Sequence, residues 1–521
     1  MKNINILLLS LVYILISQCK PADDFTELHK PNVIVILADD FGVGDIQYHF
    51  PENKIPTPNL DKLAEAGLSF TDAHSSSAVC SPTRYSLLTG RYNWRTPLQE
   101  WVLACYEPPL IKQERITLPE MLKANDYSTA CIGKWHLGWK WQGNQLSQRL
   151  EKRNILKDAV WDFSQAIKGG PTEHGFDYYF GTHVPNFPPF TYIENDHVFI
   201  EPTAVYEKVN YQGIHMPQSF DSMPMAPDWK FEDILPEITR RAVDYIHAQS
   251  KEDKPFFLFF SMTSPHEPVS PSIDFQGKSG IAPIADFVME TDWSAGEILR
   301  AVEDAEILEN TLIIFTADNG HSNYTGWGKL VDAGHAPSGP FRGHKGDIWE
   351  GGHRVPFIAS WKGKISSGTS SDQLICLTDI YATCQDLISG NLPPPDQGED
   401  SFSFLDILLK NSARSERENI VSHSVFGEFA YRKDGWKVVF QLPERTLEKS
   451  RGKAAKPALY HLEYDIAEKF DSAAFYPQKV EQLSKELRLI VERGTSRVGE
   501  RSANDVKVRF DTIQMARWAV K

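Results

Sequence analysis

Short apolar runs recur along the chain, and each has the length of one buried β-strand. The runs rich in Val, Ile, Leu and Phe are Asn32–Ala38, Phe256–Ser261 and Thr311–Ala317, with a shorter run at Tyr127–Ile132. Uninterrupted apolar runs are typical of parallel strands that are covered on both faces. Amphipathic segments at 234–249 and 286–304 predict helices beside them. The pattern therefore predicts an α/β fold around a sheet with parallel strands.

Polar residues follow these runs where the strands are expected to end. Asp39-Asp40 follows the first run, with turn-forming glycines at 42 and 44, and Asp318-Asn319 follows the last. We expect the two strands to lie close in the sheet, so that these side chains converge. Three carboxylates and one amide form an all-oxygen ligand set, which suits Ca²⁺ or Mg²⁺ and not zinc. A solvated acidic loop is the alternative, and it is less expected directly after a wholly apolar strand.

The pattern changes after about residue 411. Residues 429–440 predict a hairpin with an Asp-Gly turn, residues 459–464 another strand, and residues 477–493 an amphipathic helix. We therefore divide the chain into a catalytic domain at 20–410 and a smaller α+β subdomain at 411–521. Residues 140–255 contain several stretches rich in Pro, Gly and aromatic residues, which predict loops over a pocket.

Residues 1–19 have the pattern of an export signal. Lys2 precedes an apolar run from Ile6 to Ile16, which is too short to span a bilayer. The segment Ile16–Cys19 resembles a lipobox, so Cys19 is a candidate lipidation site and the protein a candidate periplasmic or cell-surface lipoprotein. Gln18 departs from the small residue expected there, so secretion without a lipid is the alternative. We expect membrane contact only through such an anchor.

Composition limits the partners that the protein can bind. The 521 residues carry a formal net charge of −15. Nucleic acid is excluded as an expected partner because binding it requires a basic face. An anionic substrate must instead be held by a local group of cations. Four cysteines (Cys105, Cys131, Cys376 and Cys384) have neither zinc-site nor C-x-x-C spacing, and we favour buried free thiols over disulfides.

Three segments supply candidate chemistry. The first is Cys80-Ser-Pro-Thr-Arg84 with Leu-Thr-Gly-Arg91 after it, and its cysteine is a candidate nucleophile because a helix start and an arginine both favour the thiolate. The second is Gly133-Lys-Trp-His-Leu-Gly138, where Lys134 and His136 share one side of an extended segment. The third is the glycine-rich loop at 340–356 around Lys345, which alone could bind any anion. A structural cysteine, a surface lysine and a packing histidine are the alternatives.

Together these segments resemble the signatures of the type I, formylglycine-dependent sulfatases, in that family's order across residues 31–470. The resemblance implies an alkaline-phosphatase-like α/β fold, in which helices sandwich a large mixed sheet and a small C-terminal antiparallel sheet packs with a helix. It also implies that a formylglycine-generating or sulfatase-maturing enzyme oxidises Cys80 to formylglycine, whose hydrate attacks sulfate esters. The implied ligands of Ca²⁺, or alternatively Mg²⁺, are Asp39, Asp40, Asp318, Asn319 and residue 80.

The resemblance further implies a role for each cationic residue. Lys134 and Lys345 would neutralise the sulfate, and Arg84 would favour the attacking alkoxide after Asp318 takes its proton. His266 or Lys345 would protonate the leaving alcohol, and His136 would deprotonate the second hydroxyl to expel sulfate. The implied catalytic residues are Cys80, Arg84, Lys134, His136, His266 and Lys345.

Three shorter stretches, at 274–280, 334–338 and 342–344, resemble the branch of arylsulfatase A and N-acetylgalactosamine-6-sulfatase. This implies exo-acting removal of 6-sulfate from a galacto-configured sugar, with His335, Arg342 and His344 as candidate sugar contacts. A phosphonate monoester or phosphodiester hydrolase of the same superfamily is the alternative in chemistry. An unmodified protein that only binds sulfated glycans is the alternative in class.

Overall fold

The computed structural model describes residues 30–143, 161–207, 222–410, 416–442 and 457–509. The predicted export signal and Cys19 lie outside the described residues, as do residues 411–415 at the predicted domain boundary. Within the described ranges, no helix is long and apolar enough to cross a membrane.

Eighteen strands lie within the described residues. Their bounds are β1 Asn32–Ala38, β2 Leu68–Phe70, β3 Ala73–His74, β4 Ser128–Lys134, β5 Tyr178–Thr182, β6 Ile193–Glu194, β7 His197–Val198, β8 Ala204–Tyr206, β9 Met223–Met225, β10 Phe256–Ser261, β11 Thr311–Ala317, β12 Phe357–Ser360, β13 Thr369–Ser371, β14 Ile375–Cys376, β15 Asn419–His423, β16 Phe429–Lys433, β17 Trp436–Phe440 and β18 Pro457–His461.

Ten of these strands form one mixed sheet in the order β13-β2-β12-β11-β1-β10-β4-β5-β6-β7. The central strands β11, β1, β10, β4 and β5 are parallel, and every residue of β1, β10 and β11 is buried. The prediction that the strands before Asp39 and Asp318 lie close together is confirmed, because Ala38 is in register with Ala317. The parallel block brings five carboxyl ends to one edge, as open α/β sheets do around ligands.

Helices flank this sheet. Their bounds are α1 Pro58–Ala66, α2 Cys80–Thr89, α3 Leu118–Lys123, α4 Ile234–Gln249, α5 Pro283–Asp304, α6 Trp327–Asp332, α7 Glu350–His353, α8 Asp379–Ser389, α9 Leu405–Lys410 and α10 Pro477–Arg493. Helices α1, α4 and α5 pack together, and α2, α3 and α8 form a second group. Helix α2 begins at Cys80, earlier than the predicted start near Thr83, because Pro82 falls in the first turn, where its missing N–H is not needed.

The C-terminal sheet is smaller and antiparallel, in the order β15-β16-β17-β18. Its apolar side chains, among them Val421, Val438 and Leu459, pack with Leu483 and Leu487 of α10 in a separate cluster. The predicted α/β class, with a small antiparallel sheet and a packed helix at its C-terminal end, is confirmed. The boundary at residue 410 stays a prediction.

The C-terminal sheet also contacts the segment that leads into α2. The carbonyl oxygen of His423, at the end of β15, accepts hydrogen bonds from Ala78 N at 2.9 Å and Ser77 Oγ at 3.0 Å. On the other side, Gly346 N donates to Ala78 O at 2.8 Å, and Val425 N donates to Gly346 O at 3.0 Å. The residues before Cys80 are therefore held between the C-terminal sheet and the loop that carries Lys345.

A buried network of charges joins the same two parts of the molecule. Lys437 of β17 contacts Glu350 at 3.0 Å and Glu468 at 2.8 Å. Glu350 also pairs with Arg354 at 2.9 Å, and Arg354 reaches Asp72 at 2.8 Å. Arg432 of β16 makes two contacts with Asp72, both at 2.7 Å. We call these three acids and three bases the interdomain network.

Candidate active site

Four oxygen-bearing residues meet at the carboxyl ends of β1 and β11. Asp39 and Asp40 follow β1, and Asp318 and Asn319 follow β11, all fully buried or nearly so. Asp40 has a φ of +65°, which turns the chain so that both neighbouring carboxylates face the same space. Asp40 N donates to Asp318 Oδ1 at 3.3 Å, and Asn319 Nδ2 donates to Asp40 Oδ1 at 2.8 Å. The predicted convergence of the four side chains is observed.

Three cations surround these carboxylates. Lys134 Nζ, at the end of β4, lies 2.6 Å from Asp39 Oδ2. Lys345 Nζ donates to Asp40 Oδ2 at 2.7 Å. Arg84, one turn into α2, donates to Asp318 Oδ2 from Nε at 3.0 Å and from Nη2 at 2.8 Å. We call these three acids and three bases the site cluster.

The charges around Asp39 determine whether its carboxyl group is protonated. Burial alone would raise the pKa of the Asp39 carboxyl, because a charge is poorly solvated inside a protein. Lys134, His266, Arg84 and Lys345 outweigh burial and hold this pKa well below its usual range. Asp39 is therefore a carboxylate at every physiological pH and can serve as a metal ligand.

Two oxygens, one in the site cluster and one beside it, fit a bound cation. Asp39 Oδ1 and Asn319 Oδ1 are buried and have no hydrogen-bond partner among the described residues. The orientation of the Asn319 amide is set by its Nδ2, which donates to Asp40 and to Gly320 O. Unpartnered buried oxygens are costly unless something else satisfies them. The donor atoms are hard oxygens, which match Ca²⁺ or Mg²⁺.

Cys80 lies at the first position of α2 and faces His136. Its Sγ is 3.3 Å from His136 Nδ1, and His136 Nε2 is 2.9 Å from the carbonyl oxygen of Leu103. A carbonyl only accepts, so Nε2 carries the proton and the Nδ1 lone pair points at residue 80. Burial and then Lys134 lower the pKa of His136 well below its ordinary value, so the ring is neutral. His136 has a φ of +55°, so the segment is not extended there, yet Lys134 and His136 still reach one site.

The expectation of a thiolate at Cys80 is not met. Burial raises the pKa of the Cys80 thiol, and Lys134 and Lys345 only partly oppose this. Arg84 cannot compensate because Asp318 already occupies its guanidinium. An unmodified cysteine at this position would therefore be protonated and a weak nucleophile.

His266 and Lys345 lie on the remaining side of the cluster. His266 Nδ1 donates to Glu267 O at 2.6 Å, and its Nε2 is 3.9 Å from Asp40 Oδ2. Burial, then Lys345 and Lys134, lower the pKa of His266. Burial would lower the pKa of Lys345 as well, but Asp40 outweighs it and raises this pKa well above its usual value. Lys345 is thus a fixed positive charge.

Comparison with known proteins decides the family. The model of the family described as Sulfatase matches residues 31–390, more than two thirds of the chain. The chain belongs to the sulfatase family. It is a sulfuric ester hydrolase, and the segments that predicted this are those that form the site.

Individual relatives cover nearly the whole sulfatase. An N-acetylgalactosamine-6-O-sulfatase of Bacteroides thetaiotaomicron is 31% identical over 90% of this chain and 95% of its own length. Arylsulfatase A of Homo sapiens is 29% identical over 94% of this chain and 90% of its own. A solved structure described with the metabolism of multiple glycosaminoglycans by Bacteroides thetaiotaomicron has a TM-score of 0.76 at 29% identity, over 88% of this chain and 99% of that one.

The three predicted sugar contacts of the sulfatase have different surroundings. His335 is 1% exposed, and its Nε2 lies 2.7 Å from Asp45 Oδ1, while its Nδ1 accepts from Lys54 N at 3.3 Å. Asp45 also binds His321 Nδ1 at 2.7 Å. Burial would raise the pKa of Asp45, but the two imidazoles lower it to about 2. His335 is therefore not accessible to a sugar, and its hydrogen bonds stabilise the turn after β1.

Arg342 and His344 are more accessible. The Arg342 guanidinium stacks on Trp349, 3.6 Å from the ring centroid, and donates to Glu468 O at 2.8 Å. His344 Nε2 lies 2.9 Å from Asn323 Nδ2, and its ring is 5.8 Å from that of Trp327. Both residues keep the sugar-contact role as a proposal.

Sequence patterns missed several residues that hold the site together. Arg84 Nη1 hydrogen-bonds Ser261 Oγ, which in turn donates to Lys134 O at 2.6 Å. Ser261 ends an otherwise apolar run, and this polar end was the available signal. Leu103 O, which sets the tautomer of His136, had no such signal because any residue offers a carbonyl. The five buried cysteines of the described residues are all free, as favoured from their spacing.

A second cluster has metal-like geometry but a different environment. The ring nitrogens of His74 and His353 and a carboxylate oxygen of Glu350 lie within 4.8 Å of one another. Lys437 Nζ is 3.1 Å from His353 Nε2, and Glu350 already pairs with Lys437 and Arg354. A cation would meet positive charge at this point, so we assign no metal to these residues: Glu350 belongs to the interdomain network, and the two histidines lie beside it.

Proposed function

We propose that this sulfatase hydrolyses sulfated carbohydrates with a nucleophile made from Cys80 and a divalent cation held by the site cluster. The observation that carries the proposal is the position of residue 80. It stands at a helix start, with the acceptor nitrogen of His136 3.3 Å from Sγ and the ammonium groups of Lys134 and Lys345 beside the same carboxylates. Burial raises the pKa of the unmodified Cys80 thiol, which disfavours a thiolate nucleophile at this position.

Formylglycine at residue 80 and a divalent cation would each supply specific chemistry. Formylglycine hydrate at residue 80 offers one hydroxyl for attack and a second whose deprotonation releases sulfate, while Ca²⁺ or Mg²⁺ neutralises negative charge. The ligands would be Asp39, Asp40, Asp318, Asn319 and residue 80. An oxygen at residue 80 completes an all-oxygen set better than sulfur does.

The residues of the chain perform the remaining tasks. Lys134 and Lys345 place fixed positive charge where the sulfate oxygens become more negative, in a site that excludes water. Arg84 holds Asp318 in position through two hydrogen bonds. The lone pair of His136 Nδ1 accepts a proton from the group on residue 80, since its other nitrogen is tied to Leu103 O. His266 or Lys345 is proposed to give a proton to the leaving alcohol. His266 can do so only when its Nε2 is protonated as well, because Nδ1 carries the proton that is donated to Glu267 O.

For the substrate we propose the 6-sulfate of a galacto-configured sugar at a chain end. The name of the bacterial N-acetylgalactosamine-6-O-sulfatase supports this, together with the motifs at 334–338 and 342–344. Arg342 and His344 would contact the sugar, and His335 would act only by bracing Asp45 and His321. Export, lipidation of Cys19 and an encounter with a sulfatase-maturing enzyme belong to the same proposal, because a polysaccharide substrate is met outside the cytoplasm.

Two measurements test the proposal. Mass spectrometry of the peptide containing residue 80 should find the aldehyde or its hydrate in place of the thiol. Release of sulfate should then be compared for 6-sulfated galactose and N-acetylgalactosamine, 2-sulfated uronic acid, glucosamine sulfates, a steroid sulfate and an aryl phosphodiester. Preference for the steroid or the phosphodiester would contradict the substrate class.

The Cys80→Ala variant provides the matched control. It should lose all turnover and unfold at the same temperature as the parent, because residue 80 is proposed as a nucleophile and not as a packing element. Retention of even a tenth of the activity would refute its role.

A further inference from the structure

Exposed aromatic side chains are concentrated in one short segment of the C-terminal subdomain. Between residues 464 and 476, Tyr464 is 86% exposed, Phe475 81%, Phe470 74% and Tyr476 51%. The other large exposed apolar residues of the described ranges are scattered singly or in pairs. Scattered examples are normal on soluble proteins, whereas a concentration marks an interaction surface.

Four rings in this region form a continuous row. The ring centroids of Tyr464 and His461 are 4.7 Å apart, those of His461 and Trp436 4.4 Å, and those of Trp436 and Tyr476 5.0 Å. His461 and Trp436 are half-buried, so the row has a supported middle and two exposed ends. We call Tyr464, His461, Trp436 and Tyr476 the aromatic row.

Two aspartate side chains, Asp465 and Asp471, accept hydrogen bonds from backbone N–H groups and so fix the segment that presents these rings. Asp465 accepts from Lys469 N at 3.0 Å and from Phe470 N at 2.8 Å. Asp471 Oδ1 accepts from Leu459 N at 3.0 Å and from Ala473 N at 2.9 Å. The rings are therefore held before any partner arrives, which reduces the entropy lost on binding.

The charges beside the row restrict its partner. Glu463, Asp465 and Asp471 are exposed or half-buried, and Lys469 is the exposed base among them. This local excess of negative charge opposes anionic lipid headgroups and densely sulfated chains, and it opposes a second copy of the same surface. Carboxylates next to aromatic faces suit uncharged sugar rings, which offer C–H faces for stacking and hydroxyl donors for the acids.

We propose that the aromatic row is a binding surface for uncharged stretches of a polysaccharide, separate from the site cluster. It rests on the proposed function only in that the sulfatase acts on carbohydrate. The same segment touches the active-site loop, since Glu468 O accepts from Arg342, three residues before Lys345. A glycan held on the row would keep its sulfated end near the enzyme and raise the effective concentration there.

The test measures binding without turnover. The full chain carrying Cys80→Ala is run in native gels containing an uncharged agarose-type galactan, chondroitin sulfate or no polymer. We expect the galactan to retard it. Adding Tyr464→Ala and Tyr476→Ala should weaken retardation at least about fivefold, as expected for exposed aromatic anchors. The single Tyr464→Ala variant, at a side chain that is almost fully exposed, guards against misfolding as the cause.

A matched control replaces an exposed apolar residue elsewhere. Val498 is also 86% exposed, and Val498→Ser should leave retardation unchanged. The proposal would be overturned if the galactan retarded the Cys80→Ala protein equally with and without the two added tyrosine substitutions. It would also be overturned if chondroitin sulfate retarded the Cys80→Ala protein more strongly than the galactan does. Two other outcomes would also overturn the proposal. If the tyrosine substitutions left galactan binding unchanged but abolished a dimer in gel filtration, the row would be a dimer interface. If they instead abolished binding to phosphatidylcholine vesicles, the row would be a membrane-binding surface.

The outcome is independent of the catalytic proposal. With Cys80 intact, Tyr464→Ala should release sulfate from a sulfated monosaccharide at the parent rate, because a single sugar does not reach the row. Failure of the parent to desulfate any saccharide would reject the proposed function while the gel result still decides the role of the row.

Discussion

The site cluster and the interdomain network have equal numbers of acids and bases and opposite uses. Each contains three carboxylates and three cations, and all of the carboxylates are buried except Asp72, which is 13% exposed. In the interdomain network, both oxygens of Asp72 and both of Glu350 are taken by neighbouring bases. The third carboxylate of the network, Glu468, has Oε1 2.8 Å from the ammonium of Lys437. By contrast, Asp39 Oδ1 in the site cluster and Asn319 Oδ1 beside it have no partner among the described residues. Carboxylates whose oxygens are paired with bases form a structural ion-pair group. Buried oxygens that lack a hydrogen-bond partner are instead available to bind a cation.

The physical reason lies in the cost of burying charge. Moving ions out of water costs several kcal/mol per ion in a real protein, and only well-placed partners offset it. In the interdomain network the partners offset this cost, so removal of one of them would leave buried charge without compensation. The site cluster leaves part of this cost unrecovered, as is usual where a protein is arranged for catalysis. Matched substitutions in the two groups should differ in their effect on turnover.

The largest effect is expected from Asp39→Asn in the site cluster. The substitution keeps the shape of the side chain but removes a charged ligand, so we expect turnover to fall by about 1,000-fold or more. The unfolding temperature should also fall, because Lys134 stays buried and loses the partner 2.6 Å away, so the matched substitutions in the two groups differ in their effect on turnover. Sulfate release and thermal unfolding of the same preparation measure both effects.

Removal of the cation should reproduce that loss. Chelation of the parent enzyme should abolish turnover, and Ca²⁺ or Mg²⁺ should restore it, while Asp39→Asn should need a higher concentration of the ion. If zinc alone restored activity, the all-oxygen ligand set would be wrong.

The matched change in the interdomain network is Glu350→Gln. It leaves Lys437 and Arg354 buried with one charge too few, which should destabilise the fold by about 3–5 kcal/mol. Turnover per folded molecule should remain close to that of the parent. Urea unfolding followed by fluorescence measures the stability. A loss of turnover with unchanged stability would place Glu350 in the catalytic machinery and end the comparison.

His266→Ala should have an intermediate effect that depends on the substrate. A general acid typically contributes about 10²–10⁴-fold, and most when the leaving oxygen is basic. We therefore expect a large loss on sugar sulfates and a small one on nitrophenyl sulfate. Equal losses on both would make His266 a sulfate-binding residue.

The smallest effects separate the two histidines that were predicted to touch the sugar. His344→Ala should raise KM for a sugar sulfate about fivefold, the value of one hydrogen bond of ordinary strength, with an unchanged unfolding temperature. His335→Ala should instead lower the unfolding temperature, because it removes a buried partner of Asp45. A KM effect for His335→Ala without a stability effect would restore the original prediction.

Sequence reasoning worked best where a strand and its polar end are adjacent along the chain. The apolar runs before Asp39, Asp318 and His266 each predict a parallel strand, and parallel strands bring such ends together without further information. Lys134 and Lys345 were found through motifs. Their contacts with Asp39 and Asp40 follow from the same edge of the sheet.

The same reasoning failed where the partners come from distant segments and no motif marks them. Arg432 and Asp72 are 360 positions apart, and neither differs in pattern from a surface residue. His335 was predicted to contact the sugar because residues 334–338 resemble one branch of the family, but its ring is buried against Asp45. Burial of this kind depends on the whole tertiary arrangement, which local periodicity does not contain.

The hydrogen bonds that hold residues 77 and 78 determine when, during synthesis, the segment before Cys80 becomes fixed. Ala78 and Ser77 bind the carbonyl oxygen of His423, which is made about 345 residues later. Contacts this distant along the chain form late, because the intervening segment must first be ordered. During synthesis the segment leading to Cys80 therefore lacks these hydrogen bonds until residue 423 has emerged. Under the proposed modification of Cys80, that interval is when the maturing enzyme would reach the cysteine. A chain that stops before β15 would keep the residues of the site cluster without these hydrogen bonds next to Cys80.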